Sequence, residues 1–222
     1  CKLLDDLRFM EVRSLIMARL PQSTRDLAER FRHTTGQQRK LTGELLVRAI
    51  ASKKLGVSPE KIFWEYSEKK KPFLGSHQDL HFNISHSGDW VVAAFSVKPV
   101  GIDVEKIRKV NFSLADRFFS AEESRLLRNL PRQQRADLFF EIWTLKESYL
   151  KALGTGLTRP LKSFTVMREN NGYGLYENEK RVSWHLHQVN LDNNHKMAIC
   201  GSNGETCKSF KRLYIDDLIS ML

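Results

Sequence analysis

Two long stretches of this chain, RKLTGELLVRAIASKKLG ending at Gly56 and ADLFFEIWTLKESYLKALG ending at Gly154, carry apolar residues at helical spacing and stop at a glycine. In the first, Leu41, Leu45, Val47, Ala49 and Ile50 make the apolar face. Short β-type runs follow each helix: Ile62 to Tyr66, HFNIS, WVVAAFS and VGIDVEK after the first, and SFTVMR, GYGLYE, SWHLHQV and KMAICG after the second. The segment Pro72 to Ser76 reads as a turn, and HFNIS with WVVAAFS as a hairpin. Further helices are expected over Ser23 to Phe31, Phe112 to Phe119 and Ala121 to Asn129, the last with Ser120 as N-cap. A helix followed by strands, stated twice, predicts an α+β protein, α/β-like in its order, made of two similar halves. Laying GELLVRAIA over KESYLKALG sets Glu44 on Glu147 and Arg48 on Lys151. The expected halves are 1–100 and 101–222, related by a pseudo-twofold, with a site at the seam between them.

Composition narrows the function classes. With 222 residues, 41% hydrophobic and 28% charged, the chain suits a globular protein with a sizeable core. No run of about 20 apolar residues is present, and Asp, Glu and Arg interrupt CKLLDDLRFMEVRSL as no signal peptide tolerates. Cys1, Cys200 and Cys207 are too few for a disulfide framework. A cytoplasmic protein without a membrane segment is expected. The net charge of +10 predicts an anionic partner without choosing among nucleic acid, a phosphorylated small molecule, an acidic protein or a membrane surface.

Three sequence stretches carry chemistry. In VGIDVEK, Asp103 and Glu105 lie two apart on a strand and so share a face. Either a cation relieves their repulsion or the strand is an edge with a solvated acidic face. On the second long helix Glu147 and Lys151 are four apart and neighbours on one face, either as a surface ion pair or as a carboxylate joining a metal site beside a phosphate-binding lysine. Three carboxylates without a Cys or His cluster point to Mg²⁺, or Mn²⁺, and to phosphate chemistry. In FNISHSGDW, Asn83, Ser85, His86 and Ser87 crowd a strand end and turn, where His86 is placed to donate to a phosphate. The other histidines weighed, His33, His77, His185, His187 and His195, read as structural.

Taken together, FNISHSG, VGIDVE and WTLKESYLKALGTGL, in that order and spacing, resemble the signature blocks of the surfactin-type (Sfp-like) 4′-phosphopantetheinyl transferases, and the likeness runs from about Arg25 to the end. The resemblance implies that family's fold of two α/β halves, with the coenzyme between them. It also implies transfer of the phosphopantetheine arm from coenzyme A to a serine of an acyl or peptidyl carrier protein, leaving adenosine 3′,5′-bisphosphate, by a monomer that needs Mg²⁺.

On the matching positions Asp103, Glu105 and Glu147 would hold the metal, and His86 and Lys151 would contact phosphates. Ser85 and Lys71-Pro72 would line the adenine and ribose region, and Lys146 would help bind the diphosphate. Glu147, directly or through water, or Glu123 would take the serine proton. The carrier protein is expected near Val110 to Phe119 and the stretch after Gly154.

The chain departs from the family in having Lys70 where a glycine is usual and Thr24 and Leu27 where lysines are expected. That leaves Arg25, Arg30 and Arg39 as candidates for the 3′-phosphate. The start at Cys1 is expected to lack most of the family's first strand. Two other classes fit parts of the sequence. A nucleic-acid module would use Trp64 and Trp90, and a metal-dependent nuclease would use the same three carboxylates.

Overall fold

The computed structural model describes residues 1–170, 172–202 and 209–222, so Cys207 lies outside the described residues. Helices α1 (Asp6–Ala18), α2 (Gln22–Glu29) and α3 (Thr34–Leu55) open the chain. Asp5 caps α1 by accepting the Arg8 N–H at 2.9 Å. Ahead of it, Lys2 forms an isolated antiparallel bridge to Trp90, a short piece of strand pairing where little of a first strand was expected. Gly56 ends α3 at φ 66°, a left-handed position that glycine takes without a Cβ clash.

Strands β1 (Trp64–Tyr66) and β2 (Pro72–Leu74) then pair antiparallel. The expected turn at Pro72 to Ser76 is therefore corrected: its first three residues are a strand, with proline at the start, where strands tolerate it. The hairpin of β3 (His81–Ser87) and β4 (Trp90–Ser96) follows, with Gly88 at φ 54° in its turn.

Strand β5 (Val100–Lys106) begins a third, six-stranded sheet. Helices α4 (Ser113–Phe118), α5 (Ala121–Asn129) and α6 (Arg132–Leu153) come next, and Gly154 ends α6 at φ 69°. The sheet is completed by β6 (Thr165–Glu169), β7 (Gly172–Glu177), β8 (Lys180–Arg181), β9 (Trp184–Asp192) and β10 (His195–Ser202). Its order is β5-β10-β9-β7-β6, with β8 on β7.

Helix α6 lies on this sheet through Leu145, Tyr149, Leu150 and Ala152, packed with Leu175, Leu186, Ala198 and Cys200. Each of the leucines contributes about 1.5–3 kcal/mol when buried. The helix approaches β5 so closely at Gly101 that a Cβ there would run into the Ser148 carbonyl oxygen and the Ala152 nitrogen.

In the first part of the chain α1 and α3 share a core with Val91 of β4, through Phe9, Val12, Ile16, Leu41 and Leu45. The final helix α7 (Ile215–Ser220) returns to that core with Ile215, Leu218 and Ile219. No described helix is long and apolar enough to cross a membrane.

Candidate active site

Strands β3 and β5 run side by side in the same direction, joined by side chains. Asn83 Oδ1 accepts the Ile102 N–H at 2.8 Å, Ser85 Oγ the Val104 N–H at 3.3 Å, and Ser87 Oγ the Lys106 N–H at 3.0 Å. Strand alternation aims residues 83, 85 and 87 at the neighbour, and small polar side chains reach its amides. This seam satisfies donors of a strand that would otherwise be a bare edge.

The same two serines also reach the acidic pair. Ser85 Oγ donates to Asp103 Oδ1, and Ser87 Oγ to Glu105 Oε2, both at 2.9 Å. The solvated-edge alternative for the strand is thereby removed at Asp103, which is 4% exposed, while Ile102 and Val104 pack in a core.

Facing the pair, α6 presents Trp143, Glu147 and Lys151 at successive i,i+4 positions, so they rise along one side of the helix. With Ile84, Ser85 and His86 they line a cavity of about 330 Å³ that also takes in Asp103 and Glu105. Lys151 Nζ donates to Asp103 Oδ1 at 2.6 Å and to Ser85 Oγ at 2.9 Å. The surface-pair reading of Glu147 and Lys151 is therefore replaced: the lysine's partner is Asp103.

Burial pushes Glu147 up to about 7, helped by the charge of Asp103 and opposed by Lys151. Burial likewise raises Asp103 above the usual carboxylate range, against the ammonium of Lys151.

Asp103 Oδ2 is buried without a hydrogen-bond partner. A buried carboxylate oxygen left open beside two more carboxylates fits a hard divalent cation, which takes few protein ligands and completes its shell with water and phosphate. Among the described residues no three acidic, histidine or cysteine side chains are gathered closely enough to hold a metal ion by themselves.

A second cavity of about 360 Å³ adjoins the first, sharing Ile84 and His86. Its walls are apolar and aromatic, from Phe31, Trp64, Tyr66, Pro72 and Phe82, and its polar groups are Arg39, Lys40 and Glu44. Arg39 Nη2 donates to the Gly88 carbonyl at 2.6 Å, which ties it to the turn beyond His86. Partial desolvation, then the Arg39 charge, lowers the His86 pKa below the ordinary histidine value, so its ring is neutral at pH 7.

Residues 99–200 match the family model described as the 4′-phosphopantetheinyl transferase superfamily. Residues 10–98 match the one described as 4′-phosphopantetheinyl transferase, N-terminal. A 4′-phosphopantetheinyl transferase of Bacillus subtilis is 34% identical over 205 residues, which are 92% of this chain and 92% of the relative. The chain belongs to the 4′-phosphopantetheinyl transferases. The transferase Sfp of Bacillus subtilis strain 168 is 32% identical and covers 91% of each chain. Among solved structures, Thermotoga maritima holo-[acyl-carrier-protein] synthase covers 48% of this chain and 64% of that chain, at a TM-score of 0.41 and 24% identity.

Several side chains expected at the site of this transferase lie elsewhere. Lys146 and Glu123 are each 0% exposed and face one another, Lys146 Nζ donating to both carboxylate oxygens at 2.7 and 2.8 Å and to the Phe164 carbonyl at 2.5 Å. Glu123 also accepts the Ser120 and Val166 N–H groups at 2.8 and 2.7 Å. Lys146, expected at the diphosphate, and Glu123, expected as a proton acceptor, thus meet each other in a buried ion pair, and neither lines either cavity.

Lys71, expected beside the adenine and ribose, also lies apart from both cavities. Its ammonium caps the end of α6, donating to the Ala152 carbonyl at 2.7 Å, and burial lowers its pKa to about 8; Pro72 alone of the pair lines a cavity. Arg25 lines neither cavity.

Trp90 is 3% exposed beneath the Arg212 guanidinium, which takes from the nucleic-acid alternative one of its two aromatics. Sequence reasoning did not single out Lys40, Trp143, Ile84 or Tyr66 as lining residues. The i,i+4 run from Trp143 through Glu147 to Lys151 is the signal that would have found Trp143.

Proposed function

We propose that this transferase moves the 4′-phosphopantetheine arm from coenzyme A to the serine hydroxyl of an acyl or peptidyl carrier protein. The single observation that carries the reading is the pair of joined cavities. One is aromatic with Arg39 and a Lys40–Glu44 ion pair in its lining, and the other is acidic with an unpartnered Asp103 oxygen beside the Lys151 ammonium. A nucleoside held by a diphosphate to a longer arm has that sequence of chemistry: a flat base, anionic groups, then a reacting phosphorus.

In this reading the serine oxygen attacks the phosphorus that bears the pantetheine, and the bond from that phosphorus to the bridging oxygen breaks. The bridging oxygen leaves with adenosine 3′,5′-bisphosphate, and the serine proton goes to a carboxylate of the site. Glu147, directly or through water, is the candidate acceptor of that proton. Asp103, Glu105 and Glu147 are the residues that would hold Mg²⁺, or Mn²⁺. When bound, the cation neutralises the diphosphate and stabilises the leaving phosphate.

Lys151, fixed by Asp103 and Ser85, presents a positive charge to the phosphates, and His86, which lines both cavities, is placed to donate a hydrogen bond to one of the phosphates. Arg39 and Lys40 receive the 3′-phosphate in place of the missing lysines at positions 24 and 27. Positioning and charge supply most of the rate in such a reaction.

Incubation with coenzyme A, Mg²⁺ and an apo carrier protein, followed by intact-mass measurement, tests the reading. The expected result is a gain equal to one phosphopantetheine arm, lost when the acceptor serine is replaced by alanine. No gain with carrier proteins from several pathways would overturn it.

A further inference from the structure

We infer that Ser87 is a positioning residue that fixes the orientation of the Glu105 carboxylate and thereby sets how tightly the acidic cavity holds a divalent cation. The inference rests on the reading of Asp103, Glu105 and Glu147 as a cation site. Ser87 is buried at 8% exposure, and its hydroxyl is committed in both directions: it accepts the Lys106 N–H at 3.0 Å and donates to Glu105 Oε2 at 2.9 Å. A hydroxyl with its lone pair engaged by a backbone amide has its proton aimed by geometry, so the carboxylate it meets is held in one rotamer.

Arg108 Nη1 approaches the same oxygen, Oε2, at 3.4 Å. With both partners on one oxygen, the other is the one offered toward the cavity. Without the hydroxyl, a glutamate at the end of a strand, its side chain 23% exposed and on three rotatable bonds, samples other rotamers and loses their entropy when it binds an ion.

Asn83 separates this role from simple support of the seam. It makes the same kind of bond to β5, to the Ile102 N–H at 2.8 Å, and has no carboxylate among its named partners. Loss of its side chain removes one bond between β3 and β5, as loss of Ser87 does, without removing a bond to Glu105. Partners that orient metal-binding groups change affinity by about 10–100-fold when removed.

The test is Mn²⁺ titrated into wild type, S87A, S87T and N83A, with free Mn²⁺ followed by electron paramagnetic resonance and folding checked by urea denaturation. Expected are a Mn²⁺ affinity about 10-fold weaker in S87A, restored in S87T by its hydroxyl, and a N83A protein with a lower urea midpoint but wild-type Mn²⁺ affinity. S87A binding Mn²⁺ as wild type does, or N83A losing as much affinity as S87A, overturns the positioning role while leaving the cation site standing. Wild type that binds no Mn²⁺, or E105Q that binds it unchanged, removes the cation reading itself and the role of Ser87 with it.

Discussion

Replacing Lys146 by methionine separates the two roles that a lysine in the middle of α6 can have. Methionine keeps the length and the apolar stem, and removes the ammonium from between Glu123 and the Phe164 carbonyl. The carboxylate then retains only the Ser120 and Val166 amides, and it stands in a part of the core with no exposure. Removing one partner of a buried ion pair costs about 3–5 kcal/mol. A second route gives a similar ceiling, since protonating an ordinary glutamate at pH 7 costs about 3.7 kcal/mol, and the stranded acid can always escape that way.

For a chain of this size a loss of 3–5 kcal/mol lowers the melting temperature by about 6–20 °C. The sign with pH follows. Protonation becomes easier as pH falls, so the deficit of K146M should shrink by about 2 kcal/mol between pH 7 and 5.5. Adding E123Q to K146M should recover part of the loss at pH 7, because a neutral amide is cheaper to strand. Equilibrium urea unfolding at both pH values measures these terms. A K146M protein as stable as wild type, but with a raised KM for coenzyme A, would refute the structural assignment and return Lys146 to the diphosphate.

Three further outcomes are expected. G101A, whose new methyl meets the Ser148 carbonyl and the Ala152 nitrogen, should cost about 3 kcal/mol or more in thermal melting and disturb the spacing of β5 from α6; a wild-type melting temperature would contradict the close approach. Divalent-cation affinity should strengthen as pH rises through about 7, since the Glu147 carboxyl must lose its proton to serve as a ligand, and E147Q should flatten that profile in Mn²⁺ titrations at pH 6 and 8. R39A should raise the KM for coenzyme A by about 10–100-fold with little change in kcat, and should leave the KM for dephospho-coenzyme A nearly unmoved; equal effects on both substrates would place Arg39 away from the 3′-phosphate.

What was legible in the sequence was local. Gly56 and Gly154 marked where the long helices stop, because only the left-handed positions they occupy demand glycine. Asp103, Glu105, Glu147 and Lys151 were readable as a group because strand and helix periodicities put each pair on one side of its element.

What was illegible depended on distant partners. Lys146 looked functional because it is a charge in an apolar helix, and the residue that neutralises it is 23 positions earlier on α5. Lys71 caps a helix 81 residues away. Helix α1 gave no periodic signal because its apolar residues surround it: Phe9, Val12 and Ile16 are buried, whereas Leu7, Met10 and Leu15 are exposed. The seam of Asn83, Ser85 and Ser87 was visible as polar residues in a strand, but a hairpin reading supplies no second strand in the same direction for them to reach.

The return of α7 to the core of α1 and α3 bears on the order in which the protein is made. Vectorial synthesis delivers Phe9, Ile16, Leu41 and Leu45 early, but the side chains that close over them, Ile215, Leu218 and Ile219, leave the ribosome about 170 residues later than Leu45. Until then that apolar surface stands open on one side, and the sheet of β5 to β10 is itself completed only at Ser202, 13 residues before Ile215. Both the core of the opening helices and the six-stranded sheet are therefore closed by the last tenth or so of the chain, so neither can finish folding before synthesis is nearly complete.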